Sequence, residues 1–478
     1  MLRKFFIPVL VLLIMVAGAF YFLNRQPHHP HDIREAVPVE HFSLRNGLQV
    51  VVMPNNRIPA VTHMLMIKAG GADDPYGKSG LAHYLEHLMF SGTPDFPEGT
   101  YERAVQRNGG NQNAHTTRDY TLFYATVPKK ALAEVMAMES DRLQHVNFTA
   151  AAPRELKVIT EERDLRVENN PDALMAEQLD AITFLNHPYH QPIIGWAEDM
   201  ASFTAQDAAA FFAEHYTPAN MVLLVAGDVD VRQVKRLAQQ YYGGLVGAPP
   251  TPRNWPHEPP IRLTRHATMQ HPNVQTPRLL RQYTASSVKD GTVAEAMPLW
   301  LMVQYLGGSQ SSPLYQKLVV QHKLASDVDI DYDPLYRGPA MVRIGATAAP
   351  GVALPTLEAA LDQVIDDALH TPPSTDEVVR AKTQLEAAMV FTQDGLTPLA
   401  EVMARLLMLD LDENYYYGWR DSVEAVTPDQ MLQAAQHTLA SNKRVTGYLM
   451  PETISPPTAI TPSTAPHPTN MKEGDDVR

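Results

Sequence analysis

His83, Glu86 and His87 are the residues of this chain whose types and spacing most directly suggest chemistry. Two histidines four apart fall on one face of a helix, so their imidazoles can converge. Neutral imidazoles supply two of the three protein ligands of an open catalytic zinc site. Glu86, three residues after His83 and beside His87, is placed to serve as a general base there. The order His-x-x-Glu-His inverts the His-Glu-x-x-His pattern of metallopeptidases. The competing reading is an amphipathic helix with solvated polar residues, and the bare pattern is only moderately specific.

The flanks add specificity. The run from Gly80 to Phe90, continuing through Ser91-Gly92-Thr93, resembles the signature of the pitrilysin/insulinase family of zinc peptidases, which includes mitochondrial processing peptidase. Further segments resemble the family in order along residues 42–450. They are Asn111–Thr116 with Asp119-Tyr120-Thr121, His187-Pro188-Tyr189 with Ile194-Gly195-Trp196, and Tyr216–Asn220 leading to Val225–Asp228. In the second half, Leu306-Gly307-Gly308-Ser309 with Pro313-Leu314-Tyr315 is similar to a glycine-rich family segment.

The resemblance implies one Zn2+ per chain and a third ligand, a glutamate on a separate helix. Matching the pattern puts it at Glu162, with Glu161 as the alternative. Glu155 lies seven residues earlier on the same helical face and is expected to orient a ligand histidine. The resemblance also implies a substrate lying extended beside Asn113, Ala114, His115 and Thr116, bound mainly through its main chain.

One departure bears on partners. Peptidases of this family usually place an Arg and a Tyr, seven residues apart, in a second-half domain. Val319 and Ser326 stand at those positions here. Valine donates no hydrogen bond, and serine is too short to replace a tyrosine that stabilises an oxyanion. A heterodimer with a related subunit carrying the Arg/Tyr pair is therefore expected. The alternatives are a homodimer, or a monomer using Tyr315 or Tyr332. The expected activity is zinc-dependent hydrolysis of internal bonds in peptides or unfolded segments, in a chamber between domains. Its rivals are a non-catalytic scaffold or assembly subunit of the same fold, and a metal-binding peptide carrier.

The elements needed to position these residues are legible as alternating strand and helix patterns. Strands are expected around Leu48–Met53, Val61–Lys68, Thr121–Val127 and Met221–Ala226, and helices over Gly80–Phe90, Lys129–His145 and residues 153–168. A similar order restarts after a Pro-rich stretch. The fold class is α+β, with two related domains, 41–246 and 261–452, each a mainly antiparallel sheet with packed helices. Residues 247–260 form the linker between them.

Residues 1–23 begin with Arg3 and Lys4 and continue through an uncharged run, 5–23, long enough to span a bilayer. Ala17-Gly18-Ala19 resembles a signal-peptidase site, so an anchor and a cleaved signal both remain open. Either places the domains outside the cytoplasm. The expected site is the periplasmic face of a bacterial inner membrane, with residues 24–40 as a tether and 453–478 as a disordered Pro/Thr-rich tail. The net charge of −14 argues against nucleic acid as a partner. The absence of cysteine excludes disulfides, thiolate catalysis and thiolate metal ligands.

Overall fold

The computed structural model describes residues 38–259, 263–391, 395–440 and 444–452. No helix among them is long and apolar enough to cross a membrane. The candidate anchor, 5–23, and the tail from 453 lie outside the described residues.

Strands β1 (Glu40–Ser43), β2 (Gln49–Pro54), β3 (Ala60–Ile67), β4 (Asn111–Thr116), β5 (Thr121–Pro128) and β6 (Met221–Gly227) form one sheet, ordered β1-β2-β6-β3-β5-β4. Strands β7 (Arg265–His271), β8 (Arg278–Ala285), β9 (Ala325–Tyr332), β10 (Ala340–Ala348) and β11 (Arg444–Pro451) form the second, ordered β7-β11-β8-β10-β9. In each sheet the last strand inserts between two earlier ones. β6 runs parallel to β2 and antiparallel to β3; β11 runs parallel to β7 and antiparallel to β8. The two halves thus share one topology, a kinship that residue identity does not reveal.

The first half carries helices α1 (Leu81–Leu88), α2 (Thr100–Arg107), α3 (Leu132–His145), α4 (Phe148–Arg163), α5 (Pro171–Thr183), α6 (Ala205–His215) and α7 (Val231–Tyr242). The second carries α8 (Val293–Gly307), α9 (Leu354–His370), α10 (Thr375–Phe391), α11 (Leu396–Met408), α12 (Glu413–Glu424) and α13 (Pro428–Thr438).

Alternation along the central strands divides their side chains between two cores. Val50, Val52, Val61, Leu65, Leu223 and Val225 face a core shared with α1, α3, α6 and α7. Val51, Met53, Met64, Met66, Val222 and Leu224 face the opposite side. Strands apolar on both faces need cover on both. The second cover comes from across the chain: Leu399, Ala400, Met403 and Ala404 of α11 pack there. The exchange is mutual. Met175 and Leu179 of α5, from the first half, pack on Val445 and Leu449 of the second sheet.

Residues 247–259 hold no helix or strand, yet they lie strapped across the first half. Arg253 pairs with Asp73 at 2.7 Å and donates to Asp119 O at 2.6 Å. Trp255 packs against both His187 and Tyr189. The Glu258 carboxylate accepts the amides of Leu185, Asn186 and His187.

Candidate metal centre

Helix α1 carries the histidine pair, and its start is built from outside. Gly80 (φ 89°) precedes it and provides no side-chain cap. The buried Asp74 carboxylate takes over, accepting the amides of Gly80 at 2.7 Å and Ala82 at 2.8 Å. Burial raises its pKa well above the ordinary range, against the lowering by those two bonds. A Cβ on Gly80 would stand 2.4 Å from Ile194 O, and one on Gly195 (φ 95°) 2.3 Å from Ser79 O. The Ile194-Gly195-Trp196 segment is therefore a backbone rest for the start of the helix. Leu81, Tyr84, Leu85 and Leu88 bury the other face of α1. The Tyr84 hydroxyl donates to Ala152 O at 2.7 Å, tying α1 to α4.

With α1 and α4 fixed, three ligand-type atoms meet. Glu162 Oε2 lies 3.2 Å from His87 Nε2 and 3.6 Å from His83 Nε2. His83, His87 and Glu162 are the one such group of three among the described residues. Nitrogen and oxygen ligands about 2.0–2.2 Å from a tetrahedral zinc are about 3.3–3.6 Å apart. Both the spacing and the His/His/Glu donor set fit zinc. Burial, and then the neighbouring His87, hold His83 down to about 4, which keeps its imidazole neutral. The hydrogen bond with His87 lowers Glu162. Burial works against a charged His87, but Glu162 and Glu86 outweigh it and raise its pKa.

Glu86 stands on the same helix, buried. Its Oε2 accepts from the Thr116 hydroxyl at 2.6 Å. Burial raises the Glu86 carboxyl above its usual range, opposed by that hydrogen bond. Glu155 Oε2 lies 3.6 Å from His87 Nδ1, on the far side of the ring from Glu162. His83 Nδ1 is buried without a hydrogen-bond partner, and the ring stands edge-on to His87. Glu161 points to solvent, 68% exposed, and pairs with Lys157.

The site opens into a cavity of about 870 Å³. One wall is β4, an edge strand paired only with β5. Gln112, Asn113, Ala114, His115 and Thr116 all line it. The Ala114 amide turns to the Asn113 side chain at 2.9 Å, away from β5. By the alternation of an antiparallel pair, the main-chain groups of Gln112 and Thr116 also face outward. Among the described residues, every one lining it falls between 83 and 194, in the first half. Val319 packs against the second core, and the Ser326 hydroxyl donates to Thr347 O at 3.4 Å. Tyr332 donates to Ser286 O at 2.5 Å, and Tyr315 packs on the second core.

Residues 50–196 match the family described as insulinase (peptidase family M16), and 202–385 match the peptidase M16 inactive domain. The chain belongs to the M16 peptidase family. Its inactive-domain match begins late in the first half, at 202, and excludes the histidine pair. Among relatives, the zinc protease PqqE of Helicobacter pylori is 29% identical over 322 residues, 66% of this chain and 69% of that one. The probable mitochondrial-processing peptidase subunit beta of Schizosaccharomyces pombe is 26% identical over 389 residues, 77% of this chain and 81% of the relative. The crystal structure of a protease from Helicobacter pylori superposes with a TM-score of 0.80 at 23% identity, covering 87% of this chain and all of that one. The first half of the periplasmic protease PqqL from Escherichia coli gives 0.69 at 20% identity, covering 87% and 92%.

Three parts of this M16 site have no plain sequence signal. Asp74 caps α1 from six residues before Gly80, outside any local capping pattern. Thr116 reaches Glu86 only because β4 passes beside α1. Arg154 and Arg166 hold the outer oxygens of Glu155 and Glu162, and a charged helix face conceals them in the sequence.

Proposed function

We propose that the chain is a zinc-dependent endopeptidase and the catalytic member of a heterodimer. The observation that carries this reading is the convergence of His83, His87 and Glu162 beside the buried Glu86, in a cavity walled by an edge strand. A zinc ion held there would polarise a peptide carbonyl and lower the pKa of water. The chain's own groups do the rest. Glu86, fixed by Thr116, takes a proton from the attacking water and returns it to the leaving amine. The outward main-chain groups of Gln112, Ala114 and Thr116 pair with an extended peptide as an added strand, which reads little sequence. The test is hydrolysis of an unstructured peptide by the full-length chain in detergent, with and without chelator. Glu86→Gln is expected to keep about one zinc per chain and lose turnover. Full activity in that variant, or without zinc, refutes the reading.

The partner follows from the open side of the cavity. No described second-half residue lines it, Val319 donates no hydrogen bond, and the Ser326 hydroxyl is turned to Thr347 O. Loss of one such donor costs about 10²–10³ in rate. Relatives named as subunit beta of a processing peptidase, and the match to one half of PqqL, support paired units of this size. A related subunit with the Arg/Tyr pair is expected to raise the rate, and its Tyr→Phe variant to raise it far less. An isolated chain that is fully active and indifferent to the partner contradicts this.

The chain is further proposed to sit in a bacterial inner membrane through residues 5–23, with its domains in the periplasm. Arg3 and Lys4 before the uncharged run support that orientation. A reporter active only in the periplasm, fused after Arg478, should work; activity of a cytoplasm-only reporter there rejects it.

A further inference from the structure

We propose that Arg166 sets how Glu162 meets a metal, by occupying one carboxylate oxygen so that the other alone is offered. The inference rests on the reading of His83, His87 and Glu162 as ligands. The two oxygens of Glu162 have different surroundings. Oε2 faces both imidazoles, whereas Oε1 lies 2.9 Å from Arg166 Nε. A carboxylate left free could turn either oxygen, or both, toward a cation. A guanidinium stays charged and has only donors. It therefore competes with the metal for Oε1 and is never itself a ligand.

The backbone delivers Arg166 to this place. Helix α4 ends at Arg163, and residues 164–168 continue with wider π-type spacing, the Asn169 amide donating to Asp164 O at 2.9 Å. Such single wide turns recur at functional sites. Arg163 is drawn the other way, onto Glu177 and Gly195 O, and is buried. Among the described residues lining the cavity, Arg166 is the one arginine or lysine. Glu155 repeats the pattern: Oε2 faces His87 Nδ1, and Oε1 accepts from Arg154 at 2.8 and 3.0 Å. The Arg166 side chain is 70% exposed. An exposed ion pair adds little to folding stability, so its effect falls on the direction of the carboxylate.

Cobalt(II) in place of zinc gives a visible spectrum that reads the ligand atoms around the ion. The test compares the full-length chain with Arg166→Ala and Arg166→Lys, each loaded with cobalt, and melts the metal-free proteins. In Arg166→Ala the visible bands should fall to roughly half, as expected when a carboxylate adds its second oxygen. Arg166→Lys, which keeps a cation, should return most of the intensity. The metal-free melting temperatures should agree within about 2 °C. Identical spectra for the parent and Arg166→Ala overturn the proposal. A larger drop in metal-free melting assigns Arg166 to the fold and overturns it too. A parent that binds neither cobalt nor zinc refutes the metal centre itself, so the two failures are distinct.

Discussion

The Thr116 hydroxyl, on the edge strand, donates to Glu86 at 2.6 Å, so the strand that would pair with a peptide also holds the candidate base. Thr116→Val keeps the side-chain shape and removes the donor. Hydrogen bonds to charged groups are worth about 1.5–3 kcal/mol, so kcat should fall roughly 10–100-fold. Thr116→Ser should retain most of the activity. Steady-state kinetics of both variants, with zinc content checked, decide the point; an unaltered kcat in Thr116→Val means the bond is incidental.

Glu162 and Glu161 are neighbours with opposite surroundings, one against the imidazoles and one in solvent beside Lys157. Glu162→Gln should weaken zinc binding about 100-fold or more, while Glu161→Gln should leave it unchanged within about twofold. Glu155→Gln should fall between, at about tenfold, since it acts through His87. Competition with a chromophoric chelator measures all three. A reversed order for the first two would remove Glu162 from the site.

Met403 of α11 is fully buried on the back of the first sheet. Met403→Ala should cost about 2–5 kcal/mol. Because Met403 shares a core cluster with Met64 and Leu224 of the other half, the loss should appear as faster amide exchange in β3 and β6 as well as in α11. Faster exchange confined to α11 would mean that the first sheet holds without it.

Asp410 joins the halves, with Lys68 at 2.8 Å on one side and Arg337 at 2.7 Å on the other. Burial pushes its carboxyl up, but those two cations outweigh it and hold it down at about 2. A carboxyl with a folded pKa below its unfolded value stabilises at higher pH, and the benefit fades as pH falls toward the folded value. The group is half exposed, so solvent screening limits the effect to about 1 kcal/mol. Asp410→Asn should melt below the parent at pH 6, and the gap should narrow below about pH 4. A gap that stays constant down to pH 3 would mean that shape, not charge, explains the difference.

Much of the site was legible because its decisive spacing is local. An i, i+4 histidine pair and a glutamate face seven residues long need only helical periodicity; α1 forms as expected, whereas α4 starts at Phe148, before the expected 153, and gives way to wider turns at 164. The apolar runs of β2, β3 and β6 likewise announce central strands. What was not legible depends on long-range placement. Periodicity shows that α5 and α11 have an apolar face, but not that each covers the other half's sheet. Proline content marks 247–260 as irregular, yet gives no sign that Arg253, Trp255 and Glu258 would bind it down. The family resemblance puts Val319 and Ser326 where an Arg and a Tyr are expected. Only the structure adds that neither position lines the cavity.

The crossing of α5 and α11 also governs the order in which the molecule can be made. When β6 is complete, the Met64, Met66, Val222 and Leu224 face of the first sheet still lacks its cover, and α11 begins roughly 170 residues later. The first half cannot finish folding as it emerges; it must wait, apolar side open, for the end of the chain. Contacts of such long sequence separation slow folding and leave a surface prone to aggregation in the interval. A chain truncated before α11 would therefore fail by clumping, even though its histidine pair and the glutamates of α4 would all be present.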